Sequence, residues 1–207
     1  MENLLSDPHR FFAGARKERA GAAWAYLAYW ALLPSLLAVV SQGFLGISPG
    51  GTFFLPTWLS DVVLARTGMS GLALALANGV GVYVGIFISA FVVAIAAHVV
   101  AMLMKGKGGF DNALKTVVYG GSVYYAFSWL PVFAPFFALY STVAQIAGFK
   151  ELYGLRPGHA ILTAIGTLIL LGIVAGVVPF LNGVFAAMLN PAAGYGGVQG
   201  IVTLLLG

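Results

Sequence analysis

The sequence predicts an all-α integral membrane protein, a bundle of five membrane-spanning helices with a short amphipathic helix in front. Three observations carry this. Charged residues make up 8% of the 207 residues, against about 25% in ordinary soluble domains. Hydrophobic residues make up 60%, and the mean hydropathy is +0.97. The apolar residues are also gathered into runs of roughly the 20 residues that a helix needs to cross a bilayer. So little charge cannot solvate the surface of a soluble domain of this length. The chain holds no cysteine, which excludes disulfides, thiolate chemistry and cysteine metal sites.

The elements follow in order. Residues 1–21 form a charged leader, in which Asp7 followed by Pro8 is a helix start, the carboxylate at the N-cap and the proline at the first helical position. Phe11, Phe12 and Ala15 then fall on one side, with Arg10, Lys17 and Arg19 towards others. That pattern predicts an amphipathic helix with its rings in the headgroup boundary, the alternative being a short helix docked on the bundle. The first apolar run is too long for a signal-peptide core and reads as a retained anchor.

Residues 22–189 form the membrane domain. Spans are predicted over Ala22 to Phe44, opened by Trp24, Tyr26, Tyr29 and Trp30, and over Gly71 to Met104, longer than one crossing needs. A third is predicted from Leu114 to Leu130, a fourth from Val132 to Phe149 and a fifth from Ala160 to Leu181. Pro131 and Pro135 place a tight turn between the third and fourth, and Pro179 marks a kink or end in the fifth. Residues 190–207 form a Gly/Pro-rich tail. A re-entrant hairpin of the third and fourth segments is the alternative to two full crossings.

Orientation follows from the bases. Arg10, Arg16, Lys17, Arg19, Lys105, Lys107, Lys115, Lys150 and Arg156 are nine of the ten, and all fall on one side of a five-span arrangement, with Arg66 on the other. The positive-inside rule makes that side the cytoplasm, with the C-terminus outside, in a multi-pass cell-membrane protein. The short basic segments suit membrane lipids; there is no long basic tail of the kind that binds nucleic acid.

Small residues recur every fourth position at Ala77, Gly81, Gly85 and Ser89, and again at Gly172 and Gly176. They predict close helix packing within the monomer, with a homo-oligomer contact as the alternative. No charged side chain falls in the middle of a span, where ion-coupled carriers and voltage sensors need one. Asn78, Ser89, Gln145 and Asn182 read as helix–helix hydrogen-bonding groups. The six acidic residues form no acid–base pair, and no nucleophile elbow, zinc helix or phosphate-binding loop is present. The chemistry therefore points to a protein that is not an enzyme, with no cofactor and no metal. A metal site of His98, Glu151 and His159 has no support from spacing. Lys105 to Gly109 reads as a flexible turn at the membrane surface.

His98, then Lys105-Gly106-Lys107-Gly108-Gly109-Phe110, then Val118-Tyr119, together with Gly148-Phe149-Lys150-Glu151 running to Leu155, resemble the Yip family of Ypt/Rab-interacting membrane proteins, in its Yip-one branch. Asp7-Pro8 with Phe11-Phe12 is similar to that family's opening. Two departures are visible: Gly120-Gly121-Ser122-Val123 stands where the family often has a proline, and no histidine lies near Tyr153. The resemblance implies five spans, a cytoplasmic N-terminus and no catalysis. In eukaryotes it implies vesicle traffic and association with prenylated Rab GTPases. This chain's short leader is similar to a minimal, prokaryotic member. The expected function is a membrane organiser or trafficking-type adaptor; a small-solute or lipid transporter, scramblase or channel is the alternative. The expected interaction surface is cytoplasmic and comprises Phe11, Phe12, Lys105, Gly106, Lys107, Gly108, Gly109, Phe110, Lys150, Glu151 and Tyr153, taking a protein partner or membrane lipids. His98 and Tyr119 are the polar residues of the family motif.

Overall fold

The computed structural model describes residues 2–45, 71–127 and 132–189. The predicted tail and the end of the third segment lie outside the described residues. Seven helices are described: α1 (Glu2–Ser6), α2 (Pro8–Ala15), α3 (Ala20–Leu45), α4 (Gly71–Leu103), α5 (Phe110–Phe127), α6 (Ala134–Tyr153) and α7 (Pro157–Leu189). Among the described residues there is no strand. Helix α7 continues through Pro179, so that proline does not end it.

Among the described residues, three helical stretches are long and apolar enough to cross a membrane: Ala20–Phe44, Gly71–Leu103 and Pro157–Gly176. Each shows large apolar side chains outward, among them Leu36 and Phe44 on α3, Ile88 and Leu103 on α4, and Leu162 and Ile165 on α7. The chain divides into two compact units, residues 1–167 and 168–207. In the second, the described part is the helix through Leu189, with Leu168, Ile169 and Ile173 exposed.

In the first unit α5 is the inner helix. It packs against α3, α4 and α6, and from Ala113 to Ala126 every residue except Tyr124 is buried. A helix enclosed by protein needs no lipid-facing surface, so it can carry polar groups that a lipid-facing helix cannot. Lys115 is only 4% exposed, and its ammonium donates to the backbone carbonyl of Glu18. Thr116 and Ser122 return their hydroxyls to Asn112 and Tyr119 carbonyls at 2.8 and 2.7 Å.

Close backbone approaches occur at glycines beside the predicted stripe. A Cβ at Gly79 would collide with Val39 Cγ2 and lie 3.1 Å from the Ser35 carbonyl oxygen, where α3 meets α4. At Gly120 it would lie 3.0 Å from the Gln145 backbone nitrogen, where α5 meets α6, and at Gly166 it would lie 2.9 Å from Val100 Cγ1. Gly85 and Ser89 are buried. Gly81, Gly172 and Gly176 have nothing within 4 Å of such an atom. Among the expected bonding groups, Asn78 donates to Gln42 and Ser89 to the Ile86 carbonyl at 2.9 Å. The side chain of Asn182 lies outside the described residues.

Candidate functional site

The leader starts its helix as the sequence predicts. Asp7 caps α2, its carboxylate accepting from the Arg10 N–H at 3.0 Å, and Pro8 opens the first turn. Part of the apolar face, however, is turned into the protein. Phe12 and Ala15 are buried, and Phe12 sits against Gly148 and Thr116, where a Cβ on Gly148 would meet its ring at 3.1 Å. The docked alternative is the observed one: the missing side chain at Gly148 leaves a hole of ring width, and the protein supplies the burial that lipid would have supplied.

Polar contacts tie the leader at further points. Tyr140 donates to the Leu4 carbonyl at 2.7 Å, and His9 Nδ1 lies 3.0 Å from the Glu151 carboxylate. Tyr119, the motif tyrosine of α5, donates to the Glu18 carboxylate. The Tyr119 ring also meets Phe11 and Tyr26 edge-on, with centroids 5.3 and 5.0 Å apart. The role of Lys115 and Glu18 in holding the leader is not readable from sequence, where both count simply as surface charges.

The α4–α5 turn is built around Tyr153. Helix α4 ends with the Lys105 N–H bonded to the Met102 carbonyl at 3.0 Å and the Gly106 N–H to the Ala101 carbonyl at 2.9 Å. That is a Schellman closure with Lys105 in the left-handed region, at φ 64°. The Lys107 N–H then donates to the Tyr153 carbonyl at 3.1 Å. The Tyr153 ring lies where side chains on Gly106 and Gly108 would be, each absent Cβ being 2.8 Å from Tyr153 Cδ1. Asn112 donates to the Leu152 carbonyl at 3.0 Å and completes the clamp. The predicted flexible turn is therefore pinned, because its two glycines admit a ring that bonds it from beneath.

The Tyr153 hydroxyl donates to the Gly109 carbonyl at 3.1 Å. Its oxygen also lies 2.8 Å from His98 Nδ1, a contact in which the histidine tautomer decides which group donates. Burial pushes the Tyr153 phenol well above its usual range, with a backbone hydrogen bond at Ala113 opposing part of the shift. The His98 ring also stands edge-on to Phe110, centroids 6.0 Å apart.

The residues expected to form the surface separate into two sets. Lys105, Lys107 and Gly109 are exposed, and Phe11, Phe110, Lys150 and Glu151 are half-buried. Phe12, Gly106, Gly108 and Tyr153 are buried and hold the surface from within. Glu151 is engaged with His9, and Lys150 lies 3.9 Å from the same carboxylate. Among the described residues no group of three His, Asp or Glu gathers at metal-binding distance.

The bonds of Lys107 to Tyr153, His9 to Glu151 and Lys115 to Glu18 bring the basic segments of the leader, the α4–α5 turn and the end of α6 together in the first unit. No curated protein and no solved structure matches the chain. The Yip1 domain matches residues 3–204, taking in the docked leader, the Tyr153 clamp and all three apolar spans; the chain is a membrane protein that belongs to the Yip1 domain family.

Proposed function

We propose that this protein is a non-enzymatic membrane organiser or adaptor that works through the basic end of its helical unit, with that end in the cytoplasm. The observation that carries the reading is the clamped turn. A buried tyrosine, a histidine and two glycines are spent on fixing a short segment whose outward product is two exposed lysines. Fixing a segment in advance removes the ordering entropy that a flexible turn would lose on binding a partner. The Yip1 domain is not a known enzyme family, which agrees with the reading. The expected outcome is that K105A/K107A/K150A, expressed in a deletion strain at wild-type level, fails to restore the deletion phenotype. Full rescue would remove the adaptor reading.

The topology that goes with it has five spans, an N-terminus in the cytoplasm and a C-terminus outside. Helices α5 and α6, with 18 and 20 residues, reach about 27 and 30 Å at 1.5 Å per residue, close to the hydrocarbon thickness. The chain has no cysteine, so a single V132C gives a clean probe. Labelling from the outer side by an impermeant maleimide is the five-span outcome. Labelling from the cytoplasmic side alone would make α5 and α6 a re-entrant hairpin and leave three crossings.

A further inference from the structure

Two helices in the first unit end in the same way with different residues. Helix α6 closes with Gly154 at φ 64°, and α4 closes with Lys105 at φ 64°. Glycine adopts this left-handed conformation freely, whereas a side chain with a Cβ is strained in it. Backbone economy favours glycine at both ends, so the lysine at 105 is held against its own backbone preference. A charge at that point has a use that outweighs the strain.

Its position says what the use is. Two residues before Lys105, Leu103 is 72% exposed, and Met102 beside it is also exposed. On α7, Ile161 and Leu162 are exposed five and six residues after Arg156. Side chains of this kind on apolar spans face lipid, so the bases just beyond them stand at the level of the headgroups. The 3.1 Å bond from the Lys107 N–H to the Tyr153 carbonyl joins the two stretches, and Lys105, Lys107 and Arg156 lie within three residues of its ends. All three are exposed, and none takes part in an ion pair among the described residues. The acid nearest the two lysines in sequence is the exposed Asp111, in the first turn of α5; Glu151, nearest Arg156, is engaged by His9 and Lys150. The local balance is positive.

We propose that Lys105 and Lys107, with Arg156, hold the phosphate of an anionic phospholipid headgroup at the junction of α4, α5, α6 and α7. The proposal deepens the reading of this end as the working surface by naming its partner as lipid; an acidic protein would not require the bases to border lipid-facing side chains. A clamped turn serves this role because the two ammonium groups are presented from a fixed backbone.

The test is native mass spectrometry of the full chain in neutral detergent, titrated with phosphatidylglycerol and with phosphatidylcholine. The wild type is expected to prefer phosphatidylglycerol, with about fivefold weaker binding for each base removed. K105G is the decisive variant, since it relaxes the turn while removing the charge. It is expected to melt at or above the wild-type temperature yet bind phosphatidylglycerol about fivefold more weakly, and K105G/K107Q/R156Q about 100-fold more weakly. K150Q, whose charge is already shared with Glu151, is expected to stay within about twofold of wild type. Unchanged lipid affinity in K105G, or a loss in K150Q equal to that in K107Q, would overturn the site. Displacement of the lipid by excess inorganic phosphate would also overturn it, by making the ligand a soluble anion. Lipid binding lost in variants that still restore the deletion phenotype would leave this site standing and remove the adaptor reading.

Discussion

Replacing Tyr153 with alanine is expected to lower the stability of the helical unit by about 3–5 kcal/mol, the range for deleting a large buried aromatic. The side chain is 1% exposed, and its ring fills the space above Gly106 and Gly108, so its removal leaves a cavity that two glycines cannot fill. The hydroxyl contributes separately. Y153F keeps the ring but leaves His98 Nδ1 and the Gly109 carbonyl without the hydroxyl they share, and should lose about 1–3 kcal/mol. The two variants order the contributions: packing first, hydrogen bonding second. The measurement is the thermal midpoint of the detergent-purified protein, read by loss of the monodisperse species. A Y153A midpoint equal to wild type would show that the turn is not held by this ring.

The second large effect is expected at Gly120. A Cβ there would lie 2.7 Å from Gln145 Cγ, 3.0 Å from the Gln145 backbone nitrogen and 3.2 Å from its Cα. A side chain can rotate away from a clash, but a backbone cannot, so G120V must part α5 from α6. Overpacking a well-filled interior costs about 1–3 kcal/mol, more where the neighbour cannot yield, and α5 is enclosed by three other helices. G120V is therefore expected to fail to accumulate in the membrane fraction. G81A is the matched comparison. Nothing lies within 4 Å of its new methyl, and alanine is about 1 kcal/mol better than glycine inside a helix, so it should accumulate normally. Equal accumulation of both variants would mean that α5 and α6 do not approach as described.

These two expectations also mark where the sequence was readable and where it was not. The spans α3 and α4 were visible because each is an apolar run of crossing length, a property of local composition alone. The same is true of the Asp7-Pro8 helix start, since a cap involves residues three apart. The Tyr153 clamp was not visible as a clamp, although each of its parts was named. Whether Lys105 to Gly109 is loose or pinned depends on a ring some 45 positions away in the chain, and nothing in the turn's own composition encodes that neighbour. The helix contacts made beside the glycine stripe were unreadable for a related reason. Spacing of four shows that residues share a helix face, but not which face a neighbouring helix takes. Gly79 falls between the stripe positions and makes the approach to Val39 and Ser35. Helix α5 was readable as a segment but not as the inner helix. Its polar residues make it a weak span by composition, and only its enclosure by α3, α4 and α6 explains how Lys115 and Thr116 come to be buried.

The seat of the leader has a consequence for how the protein is made. Phe12 rests against Gly148, and the Leu4 carbonyl is bound by Tyr140, 136 positions later in the chain. At about 5–20 residues per second on the ribosome, that interval is roughly 7–30 s. For that time the segment carrying Phe11 and Phe12 exists without the surface that will receive it, and four bases are held beside it. Docking is therefore a late event in biogenesis, open only to chains whose α5 and α6 have already been synthesised and paired. A translation product interrupted before α6 leaves Phe11 and Phe12 without that seat, next to Arg10, Arg16, Lys17 and Arg19.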